Sequence, residues 1–335
     1  MKSLTRTNNK EYPCIDCMKV VMAIIVVAIH TSPQTNINNV ILKGFIPYLY
    51  NPAVPFFFTA SGFLIWNKIY DSTKAEKTNR LKGWIIKTFR LYIVWTAIYI
   101  PLTIYGFHLD NISITKSIFI FLRNTVFVGE NYMSWPLWYL LGMLVAAVLI
   151  YIMVSLNTKV KAMYTFATVM ALAGILLDYC HNNNILTAIV SPYFKLFLTT
   201  RNGFFQGLPY IMIGISIANE GVIKSKQWLT AIFVLSFIAH MFGYQLATFI
   251  MTYALFSLTI QFDLPERKDN LYRNCRLTST IIYFVHMIFV ASLTILLPIE
   301  IPNYIIFLTV VILSFITARI AILYKDNRIV KFLFR

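Results

Sequence analysis

Charge is scarce in this chain of 335 residues: Asp, Glu, Lys and Arg together make up 13%, about half of the ~25% usual in soluble domains. With 58% apolar residues to cover, so few charges cannot build a water-facing surface, and a soluble globular fold is excluded. Cysteine is rare as well. Cys14, Cys17, Cys180 and Cys275 offer no extracellular disulfide framework. Cys14 and Cys17 form a CxxC pair, but no second pair or nearby histidine completes a zinc site. A pair of cytosolic thiols is the simpler reading. The five histidines fall in no metal-ligand spacing such as HExxH, so no metal is expected. There is no Gly-rich phosphate loop, internal repeat or low-complexity segment.

What the chain has in quantity is rings and apolar runs: Phe 27, Tyr 20 and Trp 6. A helix needs ~20 mostly apolar residues to cross a bilayer. Ten runs approach that length, near residues 15–33, 45–66, 84–105, 135–156, 160–180, 203–219, 228–243, 246–262, 278–298 and 303–324. They predict an all-α integral membrane protein: one domain over residues 1–335, a bundle of about ten transmembrane helices. Pro52 and Pro55 imply a bent or broken start to the second run. Residues 112–128 and 185–200 read as amphipathic, interfacial or re-entrant segments.

Lys and Arg outnumber Asp and Glu by 29 to 13, a net charge of +16. On a soluble chain that surplus would suggest a nucleic-acid partner. Here its distribution says otherwise. Twenty basic residues fall on one side of the expected spans: Lys2, Arg6 and Lys10; Lys68, Lys74, Lys77, Arg80 and Lys82; Lys159 and Lys161; Lys224 and Lys226; Arg267, Lys268, Arg273 and Arg276; Lys325, Arg328, Lys331 and Arg335. The other side receives five, Lys43, Lys116, Arg123, Lys195 and Arg201. This positive-inside pattern predicts both termini in the cytoplasm of a multi-pass cell-membrane protein, with lipid rather than nucleic acid as partner. The basic N-terminus and the run after Val20 could imitate a signal peptide. No small-residue cleavage site follows, so an uncleaved first helix is expected.

Ionisable residues inside a bilayer are functional candidates by default. Lys19 and His30 are eleven positions apart on the first run, which puts them on one helix face about 16 Å apart along the axis. Singly, Lys19 could snorkel to headgroups and His30 could anchor a helix end. Together they suit a path with an anion-binding mouth and a proton-handling group. Lys87 and Arg90 share a face at spacing i, i+3, suited either to anchoring or to gripping phosphates from the cytoplasm. Ser61-Gly62 permits close helix approach, and His286 lies mid-run within Ile282-Tyr283-Phe284-Val285. A structural hydrogen bond is the plain alternative for His286. His240 is a weaker candidate near a helix end, while His108 and His181 are expected in outer loops.

In order, Asp16-x-x-Lys19, ten residues and His30, then Pro55-Phe56-Phe57-x-x-x-Ser61-Gly62-Phe63, Lys87-x-x-Arg90, Leu137-Trp138-Tyr139-Leu140 and Tyr283-x-x-His286 run through nearly the whole chain. This ordered set resembles the membrane-bound acyltransferase-3 family. The resemblance implies transfer of an acyl group, often acetyl, from cytoplasmic acetyl-CoA or another acyl-CoA to a hydroxyl acceptor at the outer face, such as a bacterial cell-surface glycan. It implies His30 as catalytic base, Lys19, Lys87 and Arg90 as holders of the CoA phosphates, and Ser61 and His286 as path or oxyanion residues. Two departures matter. Lysine stands at position 19 in place of the usual arginine, keeping the charge but losing bidentate geometry. No fused extracytoplasmic hydrolase-like domain is present, so the membrane part is expected to complete transfer alone.

The Val54-Pro55-Phe56-Phe57-Phe58-x-x-Ser61-Gly62 run also resembles the membrane module of vancomycin-resistance serine racemases. That likeness leaves a second expectation: a transport module delivering a small amino acid such as L-serine to a cytosolic racemase domain, the chain being one part of a longer protein. A cytosolic enzyme domain or a second copy of the chain would then be its partner.

Overall fold

The computed structural model describes residues 11–265, 270–296 and 301–335. Five of the basic residues used for orientation (Lys2, Arg6, Lys10, Arg267 and Lys268) lie outside the described residues, as do positions 297 and 298 of the ninth run. The described chain is all-helical, without strands: α1 (Pro13–Thr31), α2 (Val40–Tyr50), α3 (Ala53–Ile69), α4 (Lys74–Leu109), α5 (Ile114–Arg123), α6 (Trp138–Ser155), α7 (Val160–Asn182), α8 (Thr187–Phe197), α9 (Leu208–Glu220), α10 (Lys226–Met241), α11 (Ala247–Ile260), α12 (Leu271–Leu296), α13 (Asn303–Leu323) and α14 (Arg328–Phe334).

Among the described residues each of the ten expected runs falls largely on helix, but they are not equivalent. Six segments among the described residues are long and apolar enough to cross a membrane: α1, α4, Trp135–Ser155, α7, Leu271–Ile295 and α13. The remaining runs correspond to α3, α9, α10 and α11, of 17, 13, 16 and 14 residues. At 1.5 Å per residue, the 13 residues of α9 reach only about 20 Å, short of the ~30 Å hydrocarbon core. A π-helical turn, Gly203–Gly207, runs directly into α9 and lengthens it. The second run is broken at Asn51–Pro52 into α2 and α3, as its prolines imply.

Three expectations need correction. α4 starts at Lys74, so Lys74, Lys77, Arg80 and Lys82 ride on its first turns rather than in a connection; a Thr73–Glu76 capping box fixes that start. α12 starts at Leu271, which puts Arg273 and Arg276 on helix as well. His108 and His181 sit in the last turns of α4 and α7, not in outer loops. Of the two amphipathic segments, α5 exposes Ile114, Ile118, Phe119 and Leu122. Helix propensity and backbone capping outlast the apolar stretch that the sequence reading used as a boundary.

The helices meet through small residues and backbone-directed hydroxyls, as expected where lipid removes the hydrophobic drive for association. α3 and α9 are the most closely packed pair. A Cβ at Gly62 would strike the Ile211 carbonyl, one at Gly214 would strike the Thr59 carbonyl, and Thr59 Oγ1 donates to the Tyr210 carbonyl at 3.1 Å. α12 is held to α4 by the Tyr99 hydroxyl, which donates to the Phe284 carbonyl at 2.7 Å, and by Trp95 stacked on Phe284 at 4.7 Å. The outer faces expose Ile104, Leu235 and Ile312 to more than half their area, the surface a lipid environment accepts and water does not. The protein is a multi-pass membrane protein.

The α3–α9 contact generates a stability test. Gly214→Val must push the Thr59 backbone away, so it is expected to destabilise by roughly 1–3 kcal/mol. Gly83→Ala meets open space and should leave stability unchanged or slightly improved. Size-exclusion recovery after heating in detergent reads both; equal recovery of Gly214→Val and the parent would refute the close packing.

Candidate functional site

The two sequence candidates on α1 open into different cavities. Lys19 lines a cavity of about 220 Å³ together with Ser61, Lys87, Tyr139, Arg276 and Tyr283. His30 lines a larger one of about 540 Å³ with Arg201, Asp178, Gln34, Tyr210 and, again, Tyr283. α1 runs unbroken between them, so the spacing argument holds: one helix joins a cationic chamber to a histidine chamber.

Tyr283 is the wall they share. Its hydroxyl donates to the Pro136 carbonyl at 2.5 Å. Its ring packs within 5.4 Å of Tyr139, 5.8 Å of Phe57 and 6.2 Å of His286, measured between centroids. The three aromatic side chains form an uncharged partition between the chambers. Just on its cationic side, Ser61 Oγ donates to the Phe57 carbonyl at 2.9 Å and makes hydrogen-bonding contact with the Tyr139 hydroxyl.

At the other end, His30 occupies the last turn of α1, which stops because Ser32 adopts a left-handed conformation at φ 47° before Pro33. The imidazole stacks on Trp135 at 5.9 Å and lies 5.4 Å from the His286 ring. His286 is fully buried. Its Nδ1 lies 3.0 Å from the Ile282 carbonyl, which only an Nδ1–H can donate to; that assignment makes Nε2 the lone-pair nitrogen. Nε2 has no hydrogen-bond partner among the described residues. The two histidines are therefore adjacent, with an unused acceptor on the buried one.

The cationic chamber gathers charge from several elements. Lys19 feels Asp16, Arg276, Lys68 and Lys87, and Lys87 in turn feels Arg90 and Arg335. Arg90 does not line the chamber. Its guanidinium stands over Phe332 at 5.8 Å, against α14. That short helix is docked on the chamber mouth: Trp95 Nε1 donates to the Leu333 carbonyl at 2.8 Å, and Phe334 is itself a lining residue. So Lys19, Lys87 and Ser61 come together, His30 and His286 come together, and Arg90 stands apart.

Sequence reading missed the polar lining of the histidine chamber. Arg201 stands over Trp138 at 5.5 Å and reaches Glu130 at 3.7 Å. Burial raises the Glu130 pKa above the usual carboxylate range, with Arg201 opposing the shift. Thr200 Oγ1 donates to Asp178 at 2.7 Å, Asn51 pairs with His240, and Tyr210 with Thr248 at 3.0 Å. The available signal was Arg201, one of few cations on a basic-poor face. Among the described residues no cluster of three His, Cys, Asp or Glu side chains could hold a metal ion.

A bundle with a cationic chamber and a histidine chamber on one helix fits a membrane protein that handles an anionic ligand at one end and proton chemistry at the other. Residues 12–324 match the family described as acyltransferase domain, acyltransferase-3, and the chain belongs to that family. It is also similar to two proteins named amino-acid racemase from Enterococcus faecalis, at 28% identity over 64% of this chain and 29% of the relative, and at 25% identity over 60% and 28%. A serine/alanine racemase from Enterococcus gallinarum is 24% identical over 67% of this chain and 32% of its own length. The aligned region spans less than a third of the length of each of these relatives. No solved structure matches significantly.

The aromatic partition makes a labelling prediction. In a background lacking the four native cysteines, Ser61→Cys should react with an impermeant maleimide only from the Lys19 end, and Ile175→Cys only from the His30 end. Adding Tyr283→Ala should expose Ser61→Cys to both. Two-sided labelling with Tyr283 intact would remove the partition.

Proposed function

We propose that this protein transfers an acyl group, acetyl in the simplest case, from cytoplasmic acyl-CoA to a hydroxyl of an outer-face acceptor such as a cell-surface glycan. In this reading the bundle crosses a bacterial cytoplasmic membrane ten times, with the Lys19 end and both termini inside. The observation that carries it is the pair of chambers on α1, one cationic and one containing His30, divided by Tyr283 alone among residues common to both linings.

The chemistry follows from the groups present. Lys19 and Lys87 hold donor phosphates, and Arg90, outside the lining, adds its field at the mouth. The acyl thioester passes Ser61 and Tyr139 towards the partition. His30 removes the acceptor hydroxyl proton, the oxygen attacks the acyl carbon, the carbon–sulfur bond breaks, and the proton returns to the CoA thiolate. An imidazole is suited to both proton steps. His286 packs its ring against that of His30 at 5.4 Å, while Ser61 supplies a hydroxyl donor along the thioester path.

The transport reading has its own support. The relatives are named as racemases of amino acids, and the histidine chamber offers both Arg201 and Asp178. Opposite charges of that kind suit the two ends of an amino acid such as L-serine, which the chain would deliver to a cytosolic racemase in vancomycin resistance.

Proteoliposomes loaded with labelled acetyl-CoA distinguish the two. Acyl transfer predicts labelled acceptor outside, lost by roughly 10²–10⁴-fold in His30→Ala, while acetyl-CoA affinity stays within about two-fold, since His30 lies in the other chamber from the donor phosphates. Serine accumulation with no dependence on acyl-CoA would instead establish transport. Absence of acetyl-CoA binding in the parent protein defeats the transferase reading.

A further inference from the structure

Arg276 has a geometry that its position among the cytoplasmic charges does not announce. It lines the smaller chamber with Lys19 and Lys87. Its Nε donates to Asp16 Oδ1 at 3.0 Å and its Nη2 to Asp16 Oδ2 at 2.7 Å, a side-on bidentate pair between α12 and α1. The two partners are buried very unequally. The Asp16 side chain is 2% exposed and that of Arg276 51%, so the carboxylate lies behind the guanidinium and the guanidinium faces outward.

A guanidinium has five N–H donors in a rigid plane. Asp16 engages one on Nε and one on Nη2. The others, both on Nη1 and the second on Nη2, meet no acceptor among the described residues. They form a second edge of the fork, held in direction by the first. No Asp or Glu lines the chamber, so with Asp16 neutralising Arg276 from behind, Lys19 and Lys87 leave the space cationic. A planar two-toothed donor edge in a cationic space matches the paired oxygens of a phosphate better than any lysine does.

We propose that Arg276 is a donor-phosphate-binding residue and that Asp16 is its positioning residue. The assignment rests on the reading of the smaller chamber as the acyl-CoA site and names the contact that gives that site its geometric selectivity. Lys19 and Lys87 then contribute charge, and Arg276 contributes direction. An anionic lipid headgroup presents the same phosphate chemistry, so the test must separate the two sources.

Full-length protein in phosphatidylcholine nanodiscs provides the system, with acetyl-CoA binding measured calorimetrically and turnover measured with both acetyl-CoA and S-acetyl-N-acetylcysteamine, a thioester without phosphate. Arg276→Lys keeps the charge and loses the fork; it should weaken acetyl-CoA binding about ten-fold and raise KM while kcat is retained. Use of the phosphate-free thioester should be unchanged, which also reports that the variant is folded. Asp16→Asn should weaken acetyl-CoA binding less, and the double variant should fall short of the sum of the two.

Parent-like acetyl-CoA binding in both Arg276→Lys and Arg276→Gln overturns the assignment alone. Equal loss with the two thioesters overturns it in favour of a structural ion pair. A loss seen only in discs containing phosphatidylglycerol overturns it in favour of a headgroup. Failure of the parent protein to bind acetyl-CoA removes the acyl-CoA site itself, and the assignment with it.

Discussion

The cost of placing charge in hydrocarbon governs the arrangement of this molecule. An ion in a low-dielectric interior loses several kcal/mol of hydration unless it is paired or reaches water. Among the described residues Asp16 is the most fully buried carboxylate, and it is paired in two hydrogen bonds with Arg276. Lys19 and Lys87 make no salt bridge among the described residues; they open instead into a chamber. Lys19, Lys87 and Arg276 are therefore collected in one chamber, while Arg201 lines the other. A chamber with that charge is a cost to stability on its own and becomes favourable only when an anion fills it, which is the physical argument for a ligand there.

The same constraint explains why the partition is aromatic. A charged or strongly polar gate would need partners in both of its states. Tyr283 needs one acceptor, the Pro136 carbonyl, and otherwise packs on Phe57 and Tyr139. Such a wall excludes water and ions without any charge of its own, while its side chains can change rotamer at modest cost. α1 sets the distance across it. Eleven helix steps from Lys19 to His30 give about 16 Å, roughly half the hydrocarbon thickness. In the proposed transferase reading, a donor anchored by its phosphates at one chamber needs to extend only that far to meet His30 in the other.

Much of this was readable from the sequence, for identifiable reasons. Helix periodicity is local, so the shared face of Lys19 and His30 follows from counting residues, and the prolines around residues 52–55 announce the break between α2 and α3. The motif at His286 marks a fully buried group, which packs beside His30. Tertiary pairing is not local. Nothing in the sequence joins Asp16 to Arg276 across 260 positions, or seats α14 against Trp95. Arg90 shows the limit from the other side: its i, i+3 relation to Lys87 is real, yet three helix steps leave it about 60° round the helix from Lys87, turned toward Phe332 and away from the chamber lining. Helix ends were misjudged where polar residues continue a helix past its apolar stretch, as at Lys74 and Leu271.

His30 and His286 raise a last point about how the histidine chamber is built. Two imidazoles 5.4 Å apart in a buried site cannot both carry charge cheaply, since like charges at that distance repel strongly where little water screens them. The Ile282 carbonyl fixes the proton of His286 on Nδ1 and leaves its Nε2 as an acceptor. That nitrogen meets no donor among the described residues, His30 included, so the two rings meet by packing alone. A base with its lone pair facing the acceptor is what proton abstraction requires. In the proposed transferase reading, the base carried by α1 therefore works beside an imidazole on α12 whose one hydrogen bond goes to its own helix.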